Sequence, residues 1–83
     1  MPSTTGTPKY TFDRPGIYCI RVHGTIDVSW SERLAGMQIT TRNRGGEGPV
    51  TTLVGTVADQ AALAGVLETL YEAHFTLVSV EML

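Results

Sequence analysis

The side chains able to do chemistry in this 83-residue chain are few and scattered. Cys19 and His23 come first, a thiol and an imidazole whose types invite a metal ion or a nucleophile with its base. On a strand, four residues span about 13 Å at roughly 3.3 Å each, whereas zinc draws its ligand atoms to within a little over about 2 Å. The pair cannot chelate one ion within a subunit. His74, the other histidine, falls at a helix end, where an imidazolium favours the helix dipole. Cys19 sits in mid-strand and reads as a small buried hydrophobe, not as an activated thiolate. Asp27, Ser29, Ser31 and a histidine assemble into a triad only on paper, since no nucleophile-elbow pattern surrounds either serine. Gly45, Gly46 and Gly48 precede Pro49 and a strand, whereas a phosphate loop leads into a helix N-terminus. The true strand-to-helix junction at residues 55–60 has one glycine and sets the Asp59 carboxylate where an anion would bind. No catalytic residue, metal site or cofactor is expected.

Arg21, Trp30, Arg33 and Gln60 remain as candidate ligand or interface residues. Arg21 and Arg42 would clamp a carboxylate or phosphate if strand register brought them together on one face. The alternative is that these arginines, with Arg33 and Arg44, are solvated or lie at an interface. Trp30 either staples a connection or stacks on a ligand. The Gln60 amide, in the first turn of a helix, is expected to hydrogen-bond the loop that holds Trp30.

The elements that must position these residues follow from periodicity. Residues 17–23 alternate as a strand with apolar residues on both faces, which marks a central position. Ser29 and Glu32 are spaced as a capping box, and Ile26, Trp30 and Leu34 recur every four residues, so a short helical turn is expected there. Residues 37–42 and 50–57 are rich in threonine and β-branched residues and flank a glycine-rich hairpin loop. Residues 60–74 read as the main helix, with Asp59 as N-cap and an apolar stripe of Leu63, Val66, Leu67, Leu70 and Tyr71. Gly65 on the opposite face marks either drift or a close approach. Residues 75–82 alternate as a last strand, with Val78, Val80 and Met82 on one face and Leu77, Ser79 and Glu81 on the other.

The expected fold class is α+β: a four-stranded mixed sheet in β-β-β-α-β order, the main helix on one face and the short turn between strands 1 and 2. The crossover rule is applied here to place the last strand parallel to the first. The predicted core joins Leu63, Leu67 and Leu70 to Tyr18, Ile20, Val78 and Val80. Residues 1–9, rich in Thr, Pro and Gly, form an expected flexible tail ahead of a single domain at residues 10–83.

Composition sets the outer limits. The chain is 42% hydrophobic and 17% charged, below the usual charged share of about 25%, so it folds and has few surface charges to spare. A net charge of −2 gives no electrostatic footprint for nucleic acid or anionic lipid. Every Lys and Arg lies between residues 9 and 44, whereas residues 47–81 carry only acidic groups. The two halves neutralise each other either within one fold or between subunits. One cysteine excludes an internal disulfide and fits a reducing compartment. No targeting or membrane segment is recognised, and a cytoplasmic location is expected.

Trp30-Ser31, Leu34, Gly36-Met37, Leu53, Gly55, Val57, Asp59-Gln60-Ala61-Ala62-Leu63, Gly65-Val66-Leu67 and Ser79-Val80-Glu81 resemble a group of short uncharacterised bacterial α+β proteins. The likeness runs over about residues 17–82. It implies the fold and carries no activity.

So small a core often needs a partner to complete it. With one helix covering one sheet face, Ile17, Cys19, Val54 and Leu77 are predicted to form an apolar patch on the other, covered by the N-terminal tail or by a second subunit. The sequence thus favours a non-enzymatic homo-oligomeric interaction or accessory module, a homodimer or larger, that joins through the helix-free face or a sheet edge. The alternative is a small-molecule-binding regulatory protein with a pocket near Trp30 and Arg33 at a subunit interface.

Overall fold

A computed structural model describes residues 15–43 and 45–83 of the chain. The tail expected at residues 1–9 and Arg44 lie outside the described residues. In chain order the elements are β1 (Gly16–His23), a 3-10 helix (Val28–Leu34), β2 (Gln38–Asn43), a short 3-10 turn (Gly45–Glu47), β3 (Pro49–Val57), α1 (Gln60–Glu72) and β4 (Thr76–Met82).

The sheet is antiparallel throughout, in the order β2-β3-β1-β4, and this overturns the mixed sheet expected from sequence. The crossover rule governs the two strands that flank the helix, β3 and β4. Each runs antiparallel to β1, so they do run parallel to each other, but β1 lies between them. Inserting β1 into that crossover removes every parallel pair from the sheet.

Register decides the faces, because directly opposed residues share one. Tyr18, Ile20 and Val22 on β1 oppose Gly55, Leu53 and Thr51 on β3 and turn toward α1 and the 3-10 helix. There they meet Leu34, Met37, Val66 and Leu70 in one buried cluster. Gly55 permits a close approach: a Cβ would stand 3.0 Å from the Met37 backbone, so any larger residue forces β3 and the Met37 segment apart by a few tenths of an ångström. Thr51 is the one buried polar residue of this core among the described residues. Its hydroxyl donates to the Gly24 carbonyl (2.6 Å) and accepts the Ile26 amide (3.3 Å). That commits its single proton, so the Thr41 hydroxyl at 2.8 Å must be the donor in the third bond.

The helix ends carry local signals. The Asp59 carboxylate accepts the Ala62 amide at 2.8 Å, the expected cap. At the far end His74 adopts φ +67°, with its amide on the Tyr71 carbonyl and the Phe75 amide on the Leu70 carbonyl, a Schellman ending with histidine where glycine is usual. The 3-10 helix is capped by Asp27, which accepts the Ser29 amide at 2.8 Å. Ser29 is therefore the residue capped, and the expected Ser29–Glu32 capping box is replaced. That hydrogen bond holds the Asp27 carboxyl below its ordinary range.

The predicted helical stripe is only partly right. Val66 and Leu70 are buried, Leu63 and Leu67 are half-buried, and Tyr71 is exposed. Leu67 and Tyr71 lean toward the β4 side, where no further strand of the described residues lies beneath them. Val78 and Val80, placed in the core from sequence, are exposed for the same reason. At Gly65, on the outer face of α1, a Cβ would meet nothing within 4 Å, so no close approach accounts for the glycine. Gly65→Ala is expected to raise stability by about 0.5–1 kcal/mol, read as a higher urea midpoint at unchanged slope. A lower midpoint would show that another surface packs on this face.

Candidate functional site

The helix-free face is more polar than expected. It carries Gln38, Thr40 and Arg42 from β2, Val50, Thr52, Val54 and Thr56 from β3, and Ile17, Cys19, Arg21 and His23 from β1. Cys19 is buried there and unpaired, while Ile17 is exposed. Arg21 meets Glu81 of the same chain at 3.6 Å, a half-exposed pair that contributes little to stability. Arg42 lies two strands away, across β3, so the structure does not bring Arg21 and Arg42 into a clamp. Among the described residues no three His, Cys, Asp or Glu side chains gather as a metal set.

Trp30 and Arg33 do come together, on the opposite side of the sheet from Arg21. The guanidinium lies 5.2 Å from the Trp30 ring centre, and the ring meets Phe75 edge-on at 6.3 Å. The chain's own cation thus occupies a face of Trp30 that a ligand would use. Ser31 fixes the connection by donating to the Met37 carbonyl at 2.8 Å. Gln60 is exposed on the first turn of α1, and the bonds that hold the Trp30 loop come from Asp27 and Ser31 instead.

The surface that stands out is β4 and its flank. Between β1 and β4 the register shifts: Arg21 opposes Ser79, yet Val22 opposes Leu77. Val78 is the extra residue of a β-bulge. Past the bulge the faces exchange, and Leu77 turns to the helix side with Val22, away from Ile17, Cys19 and Val54. The four-residue patch read from sequence is therefore split between two faces. Leu77 instead helps line an open groove of about 290 Å³ with Leu67, Leu70, Tyr71 and Phe75.

Beyond this groove β4 is a sheet edge among the described residues. Leu77, Val78, Val80 and Met82 are 49%, 47%, 37% and 45% exposed, and Tyr71 above them is 79% exposed. Natural edges are usually blunted with lysine, proline or charge. β4 has one charged residue, Glu81, and no proline. The Ser79 hydroxyl beside the bulge is buried with no hydrogen-bond partner among the described residues. Sequence alternation could not find this surface, because one bulge reverses the period on which alternation depends.

No curated protein and no solved structure is significantly similar to the chain. The profile of a family described as "Domain of unknown function (DUF8691)" matches residues 17–81, and the chain belongs to that family.

Proposed function

We propose that this chain is a non-enzymatic homo-oligomeric interaction module that associates through the β4 edge. One observation carries the reading: a seven-residue edge strand with four half-exposed apolar side chains beside an open apolar groove. An unpaired edge offers backbone donors and acceptors in a row, and the apolar side chains supply the area that makes pairing favourable. Few surface charges oppose the approach. The likeness to short bacterial proteins and the lone unpaired Cys19 favour a bacterial cytoplasm as its setting.

Sedimentation equilibrium at micromolar concentration tests the reading. Twice the 9.0 kDa chain mass, or a higher multiple, is expected. A mass of 9.0 kDa throughout overturns it.

A further inference from the structure

We infer that the partner at β4 is a second copy of this chain, related by a twofold axis between Val78 and Ser79, and that its Met82 and Val80 fill the groove beside α1. This rests on the reading of β4 as the association edge and adds the register, the closure and the occupant of the groove.

The bulge supplies the argument. On β4 the helix side is taken by Leu77, Val80 and Met82, and the helix-free side by Thr76, Ser79 and Glu81. Leu77 and Val80 are three residues apart yet share a face, which a regular strand cannot match residue for residue. β1 pairs with β4 only by leaving Val78 unmatched. A second β4, turned about an axis between Val78 and Ser79, has its own bulge at the mirrored place, so that Leu77 meets the partner's Val80 and Thr76 the partner's Glu81 on matching faces.

The pairs that result are chemically matched as well. Leu77 opposes the partner's Val80, and Phe75 comes opposite the partner's Met82, both on the helix side where the groove opens. A flexible thioether against the Phe75 and Tyr71 rings is a favourable contact for such a socket. On the other side Thr76 opposes the partner's Glu81, a hydroxyl donor against a carboxylate acceptor. Glu81 never faces its own copy, so the one charge on the strand raises no like-charge repulsion. The axis closes the assembly at two subunits, and the two four-stranded sheets become one of eight strands with all helices on one side.

Cross-linking tests the register. With Cys19→Ala in both chains, to remove the thiol opposite Glu81, Thr76→Cys and Glu81→Cys variants are prepared separately and mixed under oxidising conditions. Opposed strand residues lie within disulfide reach, about 4.5–5.5 Å between Cα atoms. The mixture is expected to give a covalent dimer and each variant alone none. Twice the chain mass without the mixed cross-link overturns the register and the groove occupant while leaving self-association standing; the monomer mass overturns both. Independently, Met82→Glu and Tyr71→Lys are each expected to weaken association at least tenfold with the thermal melt of the monomer retained. Tyr71 is too exposed for its replacement to unfold the chain. Unchanged association in a folded Tyr71→Lys variant overturns the groove contact.

Discussion

Thr51→Val is expected to lower the unfolding free energy by about 3 kcal/mol, although valine keeps the shape of threonine. The hydroxyl it removes serves three groups at once: the Gly24 carbonyl, the Ile26 amide and the Thr41 hydroxyl. Ile26 is itself buried, so its amide has no water to turn to. Leaving a buried donor or acceptor unmet costs about 1–3 kcal/mol for each group, and partial solvation of Thr41, which is exposed, removes it from that account. Urea denaturation checks the value. A loss below about 0.5 kcal/mol would mean that the loop between β1 and the 3-10 helix relaxes to satisfy itself. Thr51→Ser, which keeps the hydroxyl, should recover most of the loss and so separates hydrogen bonding from packing.

Ile20→Ala is expected to have the largest effect, about 4 kcal/mol. Ile20 is fully buried on the central strand, opposed by Leu53 on one side and Val80 on the other. Walls made of paired strands move little, so the cavity stays open and its cost adds to the lost transfer energy. For a domain whose total stability lies near the low end of about 5–15 kcal/mol, that loss leaves a fold unfolded in modest urea. Leu67→Ala, by contrast, removes a half-buried side chain at the groove and should cost less than half as much. An equal loss at both positions would place Leu67 deeper than the structure does.

Much of the local structure was legible in the sequence for reasons that the contacts bear out. Asp59 announced the start of α1 because a short carboxylate satisfies free amides there, and the alternation of Tyr18, Ile20 and Val22 marked the core side of β1. Two things were not legible. Strand order is set by long-range pairing, and a rule about strands joined by a helix says nothing about a third strand inserted between them. The bulge at Val78 is a one-residue shift in the register of β4 against β1, and it leaves no mark in the residue types themselves. The candidate interface followed the same division: Ile17, Cys19 and Val54 were rightly grouped on one face, while Leu77 was carried to the other by that one extra residue. Ser29 was misread as a cap because Asp27, two residues earlier, offers a charged carboxylate that accepts the Ser29 amide itself.

The place of β1 between β3 and β4 also governs the order in which the molecule can be made. Cys19 pairs with Val54 on one side and Glu81 on the other, so the strand translated first of the four waits for the one translated last. Contacts of such long sequence separation slow folding to the order of milliseconds to seconds, since the chain must surrender loop entropy before they form. Until β4 docks, a growing chain holds the strand that carries Tyr18, Cys19, Ile20 and Val22 with one edge open. Chaperone engagement should therefore centre on residues of β1 and cease once the final strand has closed that edge.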